Sequence, residues 1–290
     1  MAKALTIQDF FRMFPDDDAC LEHLFEVRFG TDYGCPKCGQ SGGWHRLQKL
    51  PAYTCNCGHH VHPMAGTPFE RSRTPLQKWF YAMYLFTTTR NGVAAKELQR
   101  QLGVTYKTAW RIGHELRKYM GFVDGDTTLG GPGQPIVEVD KTFIGGRDRM
   151  GEDDKSVVLG MAERRGGDVI TRVIPDRTSR SVMPLIQRWI RQGGRIRTDQ
   201  AQAFGDLSIF GYDHATVNHR IEEWVRGDAH TNTIEGFWGV VKRTIRGTHI
   251  WVSKKHLQKY LWEIEFRHNL RRQSHLMFPI LMNAFARPSR

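Results

Sequence analysis

Pro135-Ile136-Val137-Glu138-Val139-Asp140 is the stretch whose reading decides the fold. Its β-branched apolar residues predict a strand over Ile136–Phe143, with an acid, Asp140, set into it. A carboxylate in an apolar strand costs free energy unless something compensates it, which marks Asp140 for chemistry. A strand-end salt bridge is the plainer alternative. Gly145-Gly146 and the acidic loop Glu152-Asp153-Asp154 follow. Val157–Ala162 and Val169–Ile174 read as the second and third strands, joined through Arg164-Arg165-Gly166-Gly167. Beyond them the pattern alternates. Ser181–Arg191 reads as helix, Arg195–Thr198 as a short strand ending at Asp199, and Thr216-Val217 as part of another strand. Helices are expected over 233–246 and 253–270. Three strands in series and then helix–strand–helix units predict an α/β domain with a mixed sheet.

Two further acids accompany Asp140. Asp199 closes Arg195-Ile196-Arg197-Thr198, and Glu235 lies in His230-Thr231-Asn232-Thr233-Ile234-Glu235-Gly236-Phe237-Trp238. Hard cations such as Mg²⁺ (or Mn²⁺) prefer carboxylate oxygen. Two such ions about 3.5–4 Å apart activate an attacking oxygen and stabilise the leaving oxygen of a phosphodiester. Asp140 is expected to bridge the ions, with Asp199 and Glu235 completing the two ends. Plainer roles stand beside these. Asp199 could cap the following turn, and Asn232-x-x-Glu235 fits a capping-box-like helix start with Asn232 as N-cap. Lys242 follows Glu235 by seven residues, on the face that also carries Trp238, and could meet a phosphate or simply be solvated. His230 could orient a water, touch the scissile phosphate or bond a loop.

The first half of the chain has a different composition. Residues 1–30 form a helical segment, with Phe10, Phe11, Phe14, Leu21, Leu24 and Phe25 at helical spacing and Cys20 buried among them. Residues 31–68 hold Cys35-Pro36-Lys37-Cys38 and Cys55-Asn56-Cys57, two thiol pairs suited to one structural Zn²⁺. The second pair is one residue short, and His59, His60 and His62 are near enough to replace a ligand. Over 69–121, an amphipathic helix at 75–89 precedes Gly92–Ile112, which reads as a helix–turn–helix broken at Gly103 with Thr105 as the second N-cap. Lys107, Arg111, Arg117 and Lys118 fall on the exposed face expected of the second helix, where DNA would bind. The Gly- and Pro-rich residues 122–135 read as a linker, leaving 136–290 as the second domain.

Charge agrees with a polyanionic partner. Lys and Arg number 42 against 30 Asp and Glu, a net +12. Residues 236–290 hold eleven Lys/Arg, among them Arg243 and Arg246, against Glu263 and Glu265 alone. Trp251, Tyr260 and Trp262 are interleaved, a composition that suits backbone-tracking DNA contact, although the aromatics fit a core equally well. No signal peptide or membrane span is read in the sequence, so an intracellular, cytoplasmic location is expected.

The order zinc knuckle, Gly66-Thr67-Pro68-Phe69, helix–turn–helix, Val139-Asp140-Lys141-Thr142-Phe143-Ile144-Gly145-Gly146, Thr198-Asp199 and His230-x-Asn232-x-x-Glu235-Gly236-Phe237-Trp238 resembles insertion-sequence DDE transposases of the ISXO-like group. The resemblance runs from about Asp9 to Phe285. It implies a ribonuclease-H-like catalytic domain, Mg²⁺-dependent cleavage at terminal inverted repeats and attack of the freed 3′-OH on target DNA. It implies Asp140, Asp199 and Glu235 as the acids, with His230, Asn232 and Lys242 as accessory positions. It further implies a bacterial, nucleoid-associated protein, and synapsis of two ends in that reaction would require at least a dimer. The alternatives are a non-catalytic DNA-binding regulator and a metal-dependent nuclease without strand transfer.

Overall fold

The structure is a computed structural model that describes residues 5–124, 127–146, 155–199, 202–217 and 230–286; the acidic loop at 152–154 lies outside them. The chain divides into two compact units, Met1–Tyr119 with Gln273–Arg290, and Met120–Arg272.

The first unit opens with helices α1 (Ile7–Met13) and α2 (Asp17–Phe29). Thr6 and Asp9 form a capping box on α1, and Asp16 accepts from the Ala19 amide to cap α2. Asp17 and Asp18 then sit in the first turn, where the helix dipole favours negative charge. Phe10 and Phe14 are buried against Tyr84 and Phe80 of helix α3 (Leu76–Thr88). Cys20 is also buried, and burial pushes its thiol pKa well up, so it behaves as a small apolar side chain.

Three short antiparallel strands, β1 (Trp44–Arg46), β2 (Tyr53–Cys55) and β3 (His60–Val61), make a small meander. Helix α4 (Ala95–Leu102) ends at Gly103, whose left-handed backbone (φ 59, ψ 44) terminates it. Helix α5 (Tyr106–Val123) begins two residues after Val104, and the Thr108 amide donates to Thr105 Oγ1 at 3.3 Å. Leu98 and Leu102 of α4, and Ala109, Ile112 and Leu116 of α5, are buried as their spacing predicts.

The last helix differs from expectation. Residues 273–290, placed with the second domain by sequence, group with the first unit. Helix α9 (Met277–Phe285) is apolar on most of its surface and buries Met277, Phe278, Leu281, Met282 and Phe285. Its Phe285 ring stacks on Phe69 and Tyr119 at 5.5 and 4.0 Å, which gives that apolar surface its partners.

The second unit is built on a five-stranded sheet ordered β6-β5-β4-β7-β8. Strands β4 (Val137–Ile144), β5 (Ser156–Glu163) and β6 (Val169–Ile174) run antiparallel, while β4, β7 (Arg195–Asp199) and β8 (Asp213–Val217) run parallel. Strand alternation gives each face its own core. Val137, Val139, Leu159 and Met161 pack with helix α6 (Ser179–Trp189) through Val182, Ile186 and Trp189. Ile144, Val158 and Ala162 pack with α7 (Asn232–Thr244) and α8 (Lys254–Asn269) through Ile234, Trp238, Val241, Leu257 and Leu261. Burying each such side chain is worth about 1.5–3 kcal/mol, so both helical layers are held by their apolar faces. The result is a three-layer ribonuclease-H-like domain. No helix among the described residues is long and apolar enough to cross a membrane.

Candidate active site

Strand β4 turns Glu138 and Asp140 toward α7, on the face opposite Val137 and Val139. Strand β7 pairs with β4 up to Val139↔Thr198, so the next residues along the two parallel strands are Asp140 and Asp199. The third acid arrives on α7. Trp238 Nε1 donates to Asp140 Oδ2 at 2.9 Å, one turn along the helix from Glu235. Glu235 is exposed, and its Oε1 accepts from Thr231 Oγ1 at 2.7 Å.

Electrostatics agrees with this convergence. Burial pushes the Asp140 carboxyl pKa up, bonds from the Lys141 amide and Trp238 oppose the shift, and the charges of Asp199 and Glu235 add to it. Two further carboxylates therefore bear on Asp140, although the three acids do not all bring their oxygens within 4.8 Å of one another. Lys141, the next residue on β4, points to the other face of the sheet, beside Phe204 of the core that packs with α6. Its ammonium is pushed down by burial and by Arg177 and pulled up by Asp199 and Asp140, and it lies 4.2 Å from the Phe204 ring centroid. His214 Nε2 lies 2.9 Å from Thr198 Oγ1, directly beside Asp199.

Sequence reasoning missed what positions α7. Glu138 is fully buried, and its carboxylate accepts from the Thr233 and Ile234 amides at 2.7 and 3.0 Å and from Thr233 Oγ1 at 3.0 Å. Arg164 Nε pairs with it at 2.7 Å, and the same guanidinium donates to the His230 carbonyl at 2.8 Å. A lone buried carboxylate would cost several kcal/mol; these partners offset that cost and place the charge at the positive end of the helix. Glu138 thus caps α7 from across the sheet. Asn232 is not the N-cap: Thr231 is, without a side-chain bond to the helix backbone, and Asn232 is the first helical residue. The capping-box reading of Asn232 and Glu235 is therefore not what starts this helix.

The remaining positions are less tightly held. His230 Nδ1 lies 3.2 Å from Glu138 Oε1 but lacks hydrogen-bond geometry to it. Asn232, Lys242, Arg243 and Arg246 are exposed along α7 and the turn after it. Gly160 on β5 lies under the Trp238 ring, where an added Cβ would come within 2.5 Å of the indole. No sequence pattern marks that close approach.

In the first unit, Cys35, Cys38, Cys55 and Cys57 bring their sulfurs within 4.8 Å of one another. The short pair is accommodated by a tighter turn. The Gly39 amide reaches back four residues to the Cys35 carbonyl, whereas the Gly58 amide reaches back three to that of Cys55, each at 2.8 Å. Gly39 and Gly58 both have positive φ, 72 and 80, as such turns require. The four thiols have the number and closeness of a closed structural Zn²⁺ site, so no histidine is needed to complete it.

Residues 128–269 match the ISXO2-like transposase domain, and residues 15–60 match the transposase zinc-ribbon domain. Two segments of the chain are thus similar to a transposase domain and to a transposase zinc ribbon. The chain is 26% identical to an uncharacterized protein in transposable element ISH50 of Halobacterium salinarum, over 86% of its own length and 90% of the relative's. It is 27% identical to an uncharacterized transposase-like protein of Haemophilus influenzae, over 35% of its length and 80% of that protein's. Among solved structures it is similar to a chain of the simian T-cell lymphotropic virus intasome bound to a PP2A regulatory subunit, with TM-score 0.30 and 14% identity, over 58% of this chain and 63% of that one.

The residues predicted to face DNA separate into two groups. Lys107 and Arg111 are exposed on α5, and Arg111, Lys118 and Arg71 line an open cleft of about 460 Å³ together with Glu70 and Glu115. Arg117 is buried. Its guanidinium donates to the Val93 carbonyl at 3.2 Å and lies over the Phe86 ring at 5.1 Å, so it braces the helix pair from inside.

Proposed function

We propose that this protein is a transposase that cuts and rejoins DNA with two divalent metal ions held by Asp140, Asp199 and Glu235. The observation that carries the reading is the hydrogen bond between Trp238 and Asp140, which ties the strand acid to the helix bearing Glu235. Mg²⁺ or Mn²⁺ bound there supplies Lewis acidity and a lowered pKa for an attacking oxygen. The chain's own residues do the rest. Asp140 and Asp199 present carboxylates from adjacent parallel strands. Thr231 orients Glu235, and Glu138 with Arg164 sets the start of α7. Lys242 contacts a phosphate, Asn232 and His230 line the approach to it, and Lys141 balances the local negative charge.

DNA is held by the Zn²⁺ ribbon, by Lys107, Arg111 and Lys118 of the helix–turn–helix, and by Arg243 and Arg246 beyond the acids. The ribbon and helix pair recognise terminal inverted repeats, and two chains or more assemble to hold two ends. Labelled duplex carrying the repeat that flanks the gene, incubated with protein and Mg²⁺, tests the reading. Wild type nicks at the repeat boundary and Asp199→Ala does not. Adding a pre-cut 3′-OH end and a target plasmid separates strand transfer from simple nuclease action. Tight binding with no cut in either Mg²⁺ or Mn²⁺ favours a DNA-binding regulator instead.

A further inference from the structure

Helix α7 does not end in an ordinary cap. One π-helical turn, Ile245–His249, extends it, and Ile250 follows with φ 66 and ψ −57. The Trp251 amide donates to the His249 carbonyl at 2.7 Å, closing a three-residue turn around Ile250. A γ-turn of this positive-φ hand is rare and strained, and a β-branched residue is among the worst suited to it. Burial does not explain the strain: Ile250 is 82% exposed and Trp251 52%. The flanks are nevertheless fixed. Ile245 and Val252 are buried in the core beneath α7 and α8, and the His249 ring meets Tyr260 edge-on at 4.7 Å. The molecule therefore holds two large apolar side chains out in solvent on an anchored, strained tip. Strain of this kind, and π-turns, concentrate at functional positions.

The surroundings identify what the tip meets. Residues 236–262 contain six Lys/Arg and no Asp or Glu. Lys242, Arg243, Arg246, Lys254 and Lys255 are exposed on either side of the tip. An apolar point inside a cationic field matches a polyanion with an apolar interior, which is a DNA duplex with its stacked bases. Proteins open such stacks by inserting aliphatic side chains between base steps, and aromatic side chains stack on bases so displaced.

We propose that Ile250 and Trp251 form a wedge that unstacks one base step of the DNA bound by the transposase, with Ile250 entering the step and Trp251 stacking on the displaced base. Ile250 follows Glu235 by fifteen residues, which at ~1.5 Å per residue places it about 20 Å along α7 from the acids. For DNA tracking the helix that is about six base pairs from the cut, at ~3.4 Å per pair. This inference rests on the DNA-cutting reading above.

The test is a scan of 2-aminopurine through the terminal-repeat duplex, read by fluorescence on binding of the full-length protein without added Mg²⁺. Wild type is expected to raise the fluorescence several-fold at one or two adjacent positions and nowhere else. Ile250→Gly and Trp251→Ala lose that rise and bind the duplex more weakly, Trp251→Phe keeps part of the rise, and a mismatch already present at the responding step restores tight binding to both. Glycine adopts positive φ without strain, so Ile250→Gly keeps or raises the melting temperature while losing the signal, which a merely structural role would not produce. Binding and cutting by wild type with no responding position, or with both variants unchanged, overturns the wedge and leaves the cutting reading intact. Loss of self-association by the two variants with unchanged fluorescence overturns it in favour of a second copy of the chain, and their loss of binding to anionic vesicles overturns it in favour of a membrane surface. Failure of wild type to bind or cut the duplex removes both readings together.

Discussion

Trp238 donates its indole N–H to Asp140 across 2.9 Å while its ring covers Gly160 on the neighbouring strand. One side chain thus joins the strand acid, the sheet surface and the helix of the third acid. Glu138 makes the same connection a step earlier. It lies two residues before Asp140 on the strand, about 6.7 Å away, and holds the helix about one turn before Trp238. Strand and helix repeats match over this distance, so α7 is fixed along β4 at two rungs.

Trp238→Phe separates these roles. Phenylalanine keeps most of the ring over Gly160 but cannot donate to Asp140. Stability is expected to fall by only about 1 kcal/mol. Groups that orient metal-binding carboxylates typically contribute about 10–100-fold, so cleavage should fall by that factor while DNA binding is kept. Single-turnover cleavage alongside a binding titration checks it; unchanged cleavage would show that the hydrogen bond does not position Asp140.

Glu138→Ala leaves Arg164 and two helix amides buried without their acceptor. Breaking a buried pair in this way costs about 3–5 kcal/mol. Glu138→Gln retains an acceptor for the amides and should recover part of that loss. Urea unfolding of the three proteins gives the comparison. Equal stability of wild type and the alanine variant would contradict the capping role.

A pH dependence follows from the far side of the second unit. Glu265 is buried, accepts from the Thr171 amide and hydroxyl at 2.9 and 2.6 Å, and pairs with Arg172 at 3.3 Å. Burial pushes its pKa up to about 7 from 4.5, against Arg172 and with help from Asp124. Asp124, bonded by Asn269, is pushed up to about 6 from 3.8, again chiefly by burial. Both folded-state values lie above the unfolded ones, so the folded protein binds more protons between them. Their contribution to stability is complete below about pH 4 and is lost as pH rises through about 6 and 7. Glu265 alone accounts for about 3 kcal/mol on this scale. Glu265→Gln keeps both Thr171 bonds and should flatten the profile; a profile equally steep in the variant would exclude Glu265 as its source.

Arg111 and Arg117 should part company. Arg111→Ala is expected to weaken DNA binding and reduce the salt slope by about one, with little change in unfolding. Arg117→Ala removes a buried guanidinium from the Val93 carbonyl and Phe86, and should destabilise the first unit by about 2 kcal/mol. The reverse pattern would place Arg117 on the DNA surface after all.

How much of this was legible in the chain varies with the range of the interaction. The β4, β5 and β6 readings fall within a residue or two of the strands, because apolar β-branched runs report sheet burial directly. The four cysteines were readable as a metal cluster, but only the structure shows the four-residue turn Cys55–Gly58 making the short pair fit. Glu138 was hidden because a carboxylate beside Asp140 carries no mark of the helix it caps, whose first turn is some ninety-five residues away. Arg117 misled for a related reason: helical periodicity gives a face but not whether another helix covers it. Helix α9 looked like a continuation of the second domain in sequence order, whereas its aromatic partners lie in the first unit. The strained turn at Ile250 has no sequence signature, since glycine or asparagine is the residue such a backbone normally selects.

The most direct measurement is cleavage and binding of the terminal-repeat duplex in Mg²⁺ by wild type and Asp140→Asn, read in the same reactions. The amide replaces a carboxylate at the centre of the three acids with little change in shape, and it still accepts from Trp238. Asp140→Asn is expected to bind within about twofold of wild type and to leave no detectable cut strand. Cutting by Asp140→Asn at the wild-type rate would contradict a metal site built on Asp140, Asp199 and Glu235.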